Sequence, residues 1–321
     1  MADAGRYVFR ASRDAHTQIT RLFDFVHPTA IAMWNLRWQI QGFIANVPTA
    51  SSADLDSRFA LGTNLSAGSL RRAAIETSWD IQLEQFASII LINTIAIFED
   101  FTASVAAVRF TDTKSQRRLA EALQFPSSAS NGGWTYAMTL VGSKSQILDG
   151  AIKWDKPILR RFVPGGIDDL LKCYRYFKEI RNAIAHNGGR ANERTKTSYD
   201  SFKAAIKDGR IGGAPIPHHS IVSAIGDPVK ITYRGVVGFS DIVLRIIATY
   251  EIDLCSFAIV EQELQSRIQP DNRFWPGDVR KKDRRLKKLL QTNDFPVVTI
   301  TPKLRAFLQA KGLVPSYAAY A

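Results

Sequence analysis

Between Ile167 and Ile184 the apolar residues Ile167, Leu170, Leu171, Tyr174, Phe177, Ile180 and Ile184 recur at steps of three and four. That spacing makes one continuous face on an α-helix and on no other regular element. Both ends are marked. Gly165 and Gly166 precede the stripe, and Asp168 and Asp169 place carboxylates in the first turn, where the helix dipole favours them. Asn187, Gly188 and Gly189 follow and can take the left-handed conformation that closes a helix. Long helical patterns also run from Ser78 to about Phe110 and from Ile242 to about Ile268. The expected fold is therefore all-α, a helical bundle with a small β-hairpin insertion (Val229–Tyr233 and Val236–Phe239) and a basic C-terminal extension.

The polar residues of the 167–186 helix are unevenly placed. Arg175, Glu179, Asn182 and His186 fall at steps of four, three and four and share a face. Arg181 lies five residues before His186, roughly 140° around an ideal helix, so the two diverge. Three arrangements would reunite them: unwinding at His186, an arginine that reaches around, or a second copy facing the first.

The segment EIRNAIAHNGG, from Glu179 to Gly189, resembles the signature of the HEPN domain family. The resemblance is close over about fifteen residues and loosely consistent with roughly Leu70 to Glu263. It implies an all-helical fold and, for many members, a metal-independent endoribonuclease that often serves as a toxin or antiviral effector. On that resemblance His186 acts as acid or base on the RNA 2′-hydroxyl and leaving group. Arg181 stabilises charge on the phosphate, and Asn182 orients the phosphate or the histidine. A cyclic 2′,3′-phosphate is the expected product. No metal or cofactor is required, because the 2′-hydroxyl is the internal nucleophile. The family pairs two such helices, commonly in a homodimer, which implies a second copy as partner. Glu99, deep in the apolar helix after Ser78, stands where family members often place a carboxylate that orients the arginine. The alternative is a non-catalytic module of the same family that binds RNA or a partner protein. One departure narrows the resemblance: toxins silenced by modification of a tyrosine two residues after the histidine have Gly188 at that position here. Control is then expected from a flanking segment, a regulatory protein or the assembly state. The looser spacings Arg10–His16 and Arg21–His27 lack both the polar neighbour and the glycine stop.

Charge agrees with an RNA partner. The chain of 321 residues carries a formal +12, which favours acidic partners, nucleic acid first among them. Arg190, Arg194 and Lys196 follow the motif closely enough to meet an RNA backbone. Residues 271–321 hold 11 basic and 4 acidic residues, +7 in all, with seven basic in the nine of Arg280–Lys288. As a helix, that stretch sets Val279, Leu286, Leu289 and Leu290 on a narrow apolar edge and leaves Arg280, Lys281, Arg284, Arg285 and Lys288 for phosphate contacts. Cys173 and Cys255 lie in apolar helical patterns and suggest a reducing, cytoplasmic setting. Neither has ligand spacing for zinc, and His218–His219 lacks nearby carboxylate or cysteine partners. No G-x-S-x-G, P-loop or dinucleotide fingerprint is present. The longest apolar run, Phe86–Phe98, spans 13 residues and reads as a buried core helix rather than a membrane span.

Composition shifts suggest three parts: a helical extension over 1–65, a HEPN-like domain over 66–268 and a basic tail over 269–321. Within the first, helices Thr17–Val26 and Thr29–Val47 are expected to break at Pro28, with Trp34 and Trp38 on a packed stripe and a polar loop over 49–64. Ser69 and Ser78 are expected helix caps, Tyr136–Trp154 and Tyr199–Ile206 further helices, and Gly209–Pro228 a long loop.

Overall fold

The computed structural model describes residues 7–63, 69–127, 132–271, 275 and 278–315. The fold is mostly α, as its apolar periodicity implies. In chain order the helices are α1 (Arg10–Asn46), α2 (Ser52–Phe59), a π-helical turn (Arg72–Glu76), α3 (Trp79–Arg109), α4 (Thr113–Gln124), α5 (Gly133–Val141), α6 (Lys156–Arg161) and α7 (Ile167–His186). They continue with α8 (Glu193–Ala204), α9 (Tyr233–Leu254), α10 (Ile259–Arg267), α11 (Val279–Thr292) and α12 (Pro302–Ala310). Among the described residues, five two-residue strands complete the list: β1 (Ile152–Lys153), β2 (Ile206–Lys207), β3 (Arg210–Ile211), β4 (Ala214–Pro215) and β5 (Val297–Val298).

α3 is the axis of the bundle. Ser78 caps it by accepting from the Ile81 amide, and Ile90, Leu91, Ile95, Phe98, Phe101 and Val105 are buried along it. α1 lies antiparallel to it, with Trp34 against Trp79 at one end and Asp14 beside Phe101 at the other. α7 and α9 pack on the next face through Phe98–Tyr174 and Phe177–Phe239 ring contacts. Glycine lets the chain come close at α9: a Cβ on Gly235 would sit 2.4 Å from the His218 carbonyl oxygen.

Several expectations are corrected by packing. Pro28 does not break α1. Its ring stands on the exposed side while Val26 and Ala30, on either side, are buried in the bundle, so burial outweighs the lost amide bond. The stretch 49–64, expected to be loop, contains α2, capped reciprocally by Ser51 and Asp54. α5 stops at Gly142, whose φ of 106° is a glycine conformation, so Tyr136–Trp154 is not one helix. α8 begins at Glu193, earlier than Tyr199, on an Asn192–Thr195 capping box. The expected hairpin at 229–239 is absent. Thr232 caps α9 there, and Val236, Phe239 and Val243 bury at helical spacing. The antiparallel β-meander β2–β3–β4 lies instead earlier in the chain: β2 takes Ile206, expected as the end of a helix, and β3 and β4 lie in the stretch 209–228 read as a loop. Its two turns, Asp208–Gly209 and Gly212–Gly213, all take positive φ (49°, 68°, 51° and 77°), the primed-turn signature. The helix expected over 242–268 is interrupted between α9 and α10. There the 256–258 backbone pairs with 143–145, through Ser145 N–H to Ser256 O and Ala258 N–H to Ser143 O.

The boundaries expected at 65/66 and 268/269 do not separate cores. Val8, Phe9, Ile19 and Val26 and, from the other end, Leu286, Leu290, Phe295, Leu304 and Leu308 join the cluster built on α3, α7 and α9. The first described residues are held by buried acids: Val8 and Phe9 amides donate to Glu251 at 2.5 and 3.4 Å, and the Arg10 amide to Glu263 at 2.8 Å. Arg267 ties both ends together by donating to the carbonyls of Val8 and Asn293. β1 and β5 pair antiparallel across the same join.

The apolar run Phe86–Phe98 lies within the 31-residue α3, whose bounds match the helical pattern read from Ser78 to about Phe110. α3 is long and apolar enough by length and composition to cross a membrane, and half of its most apolar window is buried inside this fold. Ile81, Ile89 and Ile92 remain exposed on it, as do Phe25, Ile31 and Trp38 on α1; of the two tryptophans expected on a packed stripe, Trp34 rests on Trp79 and Trp38 is left largely in solvent. Cys173 and Cys255 are buried and free.

Candidate active site

α7 stays helical through His186 and closes immediately after it. The amides of Asn187 and Gly189 both donate to the Ala183 carbonyl, at 2.9 and 3.0 Å, with Gly188 and Gly189 at φ 59° and 72°. Unwinding at His186 is therefore excluded as the way to reunite His186 with Arg181. The two side chains leave the helix on different sides.

Arg181 turns toward α3, where its Nη2 lies 3.7 Å from the Glu99 carboxylate. The same carboxylate oxygen is 2.6 Å from the Lys178 ammonium. Lys178 also donates to Gln124 on α4 at 3.1 Å, and Gln124 to Thr102 at 2.8 Å, so three helices hold this corner. The Nε of Arg181 is buried without a hydrogen-bond partner among the described residues, and so is the hydroxyl of Tyr174. Burial pushes the Tyr174 phenol far above its usual range, and Glu99 adds to the shift while Arg181 opposes it.

The second face carries Arg175, Glu179, Asn182 and His186. Arg175 pairs with Glu179 at 2.5 Å, and Glu179 is almost fully buried. The Asn182 side-chain amide donates to the other Glu179 oxygen at 3.3 Å. His186, one turn beyond Asn182, is exposed and makes no hydrogen bond, ion pair or ring contact among the described residues. An unengaged imidazole next to an oriented amide can exchange a proton with a bound substrate. A guanidinium held by a carboxylate beside it presents a fixed charge.

The decoy histidines have structural tasks. His16 is buried beside Tyr7, which lowers its basicity, and His27 contacts the Tyr233 hydroxyl at 2.8 Å. His218 and His219 bond to Thr232 and to the Pro217 carbonyl. Among the described residues no group of three or more His, Cys, Asp or Glu is placed to hold a metal ion.

The basic candidates fall in two places. Arg190 is exposed just after α7 and donates to the Gly226 carbonyl at 3.1 Å. Arg194 and Lys196 are on α8, not a loop, and Lys196 is occupied by Asp200 at 2.5 Å. α11 forms as the sequence implies, with Leu286 and Leu290 buried and Arg280, Lys281, Arg284 and Lys288 exposed. Val279, expected on its apolar edge, is exposed. Arg285 lies over Trp275 and 3.6 Å from Asp271, and it lines with Arg284 and Lys288 a groove of about 540 Å³. The bonds and ion pairs of α11 and of the turn that ends it run to α1, α10, α12 and Asp271, and none among the described residues runs to α7. The fold thus brings Arg181 and Glu99 together, keeps Asn182 and His186 on one face, and sets the basic tail elsewhere.

Sequence reasoning missed Lys178 and Tyr174 as neighbours of Arg181, with Arg175 one step further along. The repeat R-x-x-K-x-x-R from Arg175 to Arg181 was the available signal, since steps of three follow one ridge of a helix.

Compared with protein-family models, with characterised proteins and with solved structures, the chain shows no match.

Proposed function

We propose that the chain is a metal-independent endoribonuclease of HEPN type, with Arg181, Asn182 and His186 as its catalytic residues and RNA as its substrate. The observation that carries the reading is the state of α7: a half-buried Arg181 paired with Glu99, and an exposed, unengaged His186, on one unbroken helix. In this reading the 2′-oxygen of RNA attacks the adjacent phosphorus and the P–O5′ bond breaks, leaving a 2′,3′-cyclic phosphate and a 5′-hydroxyl. His186 takes the 2′-proton or supplies the proton to the leaving oxygen, Arg181 neutralises the equatorial oxygens, and Asn182 orients the phosphate. Because Arg181 and His186 diverge on a continuous helix, the site is completed by a second copy whose His186 faces the first copy's Arg181. A homodimer is thus part of the proposal, as are a cytoplasmic setting, a role as toxin or antiviral effector, and control by a regulatory protein or by assembly.

A second reading has its own support. Exposed Phe25, Ile31 and Trp38, at 67%, 63% and 59%, give α1 a surface suited to a protein partner, which favours a non-catalytic binding module. Cleavage of labelled single-stranded RNA in EDTA separates the two. Cutting to cyclic-phosphate ends that Arg181→Ala and His186→Ala each abolish supports the nuclease. Cutting at an undiminished rate after either substitution, or no cutting by a purified dimer on a broad panel of RNAs, refutes it.

A further inference from the structure

The ridge that carries Arg181 begins two steps earlier, and nothing in the reaction above uses its other members. Arg175, Lys178 and Arg181 stand three residues apart, a rise of about 9 Å from first to last. Each is held rather than free. The Arg175 guanidinium lies 4.7 Å from the Phe125 ring centroid and pairs with Glu179. The Lys178 ammonium lies 5.2 Å from the same ring and is fixed by Glu99 and Gln124. All three keep an opening to solvent, their side chains being 29%, 14% and 25% exposed. Lys178 and Arg181 share a single carboxylate, so the pair retains one positive charge. Beside them are two buried hydrogen-bonding groups without partners among the described residues, the Tyr174 hydroxyl and the Arg181 Nε, and such groups are normally satisfied by an oxygen ligand or water.

We infer that Arg175 and Lys178 form a seat for the RNA phosphates that flank the scissile one, so that the strand lies along the α7 ridge across Phe125. Cations already ordered by an aromatic ring and carboxylates lose little side-chain entropy when a phosphate arrives. Glu99 occupies the anion position between Lys178 and Arg181 when RNA is absent. The inference rests on the ribonuclease reading for its ligand, and its test reads binding, which does not depend on cutting.

The experiment measures anisotropy of a labelled single-stranded RNA on the full chain carrying His186→Ala, over a series of salt concentrations. Arg175→Gln and Lys178→Gln are each expected to weaken binding several-fold and to flatten the slope of log K against log salt by about 0.7, one phosphate contact on a single strand. Arg175→Lys and Lys178→Arg keep the charge and should keep the slope, which separates lost contact from lost fold. Glu99→Gln, which frees both cations, should tighten binding. Unchanged slopes in both glutamine variants, or weaker binding in Glu99→Gln, overturn the inference. Should the glutamine variants fail to fold, Glu99→Gln and the charge-keeping pair decide it alone. Flattened slopes in a protein that never cuts RNA would sink the nuclease and keep the seat. Arg181- and His186-dependent cutting with unchanged slopes would do the reverse. Binding of an acidic peptide in place of RNA, with the same residue dependence, also overturns it.

Discussion

Glu251 makes the stability of this protein depend on pH in the direction opposite to that of a surface carboxylate. It is fully buried on α9, where it accepts from the amides of Val8 and Phe9, and burial pushes its pKa from 4.5 up to about 8, with the nearby Glu263 adding to the rise. The unfolded chain releases this proton near pH 4.5, whereas the folded chain holds it until about pH 8. Stability from Glu251 is therefore complete below pH 4.5, falls as pH rises, and stops falling above about pH 8. Between pH 6 and 8 the two titration curves give a loss of about 2 kcal/mol. At the usual unfolding entropy per residue, a chain of this length would melt about 3 °C lower. Glu251→Gln keeps the shape and an acceptor for Val8 but has no proton to lose. Thermal melts of both proteins at pH 6 and pH 8 provide the assay. The wild type should lose its few degrees and the variant should lose clearly less, the remainder coming from other buried acids such as Asp253, which burial raises to about 6, and Glu263, which burial also raises. Equal losses in the two proteins would refute the argument, because the buried carboxyl would then not be the source.

Other expectations can be checked as directly. Arg181→Ala should lower kcat for RNA cleavage by about 10²–10³, the usual cost of removing one transition-state donor, with the cyclic-phosphate yield as readout. Mixing Arg181→Ala with His186→Ala protein should restore part of the activity if one copy's arginine works with the other's histidine. No recovery after exchange of subunits would place both in one copy. Phe177→Ala, which removes a fully buried ring stacked on Phe239, should cost about 3–5 kcal/mol in denaturant unfolding. Gly212→Ala should cost about 1–3 kcal/mol, since φ is 51° and a Cβ would meet the Gly166 carbonyl oxygen at 2.7 Å.

Local features were the most legible part of the chain. The 167–186 helix, its Asn-Gly-Gly end, the Ser78 cap and the helix of the basic tail all depend on residues within a turn or two of each other, where spacing alone states the geometry. Two local signals were present and overlooked: the Asp-Gly and Gly-Gly turns of the meander, and the Ser51–Asp54 box that starts α2. The remainder depended on partners far away in sequence. Pro28 stays in a helix because Val26 and Ala30 find the core, and position 235 takes a glycine within a helix because the His218 carbonyl comes that close.

What the sequence determined by itself was the helical class, the motif with its divergent arginine and histidine, and the excess of positive charge, because these follow from residue type and period. Only the tertiary structure decided that Glu99 meets Arg181 and Lys178, and that both chain ends enter the core. Each of these pairs residues tens to hundreds of positions apart, and a period along one helix cannot say which face of another helix will be packed against it.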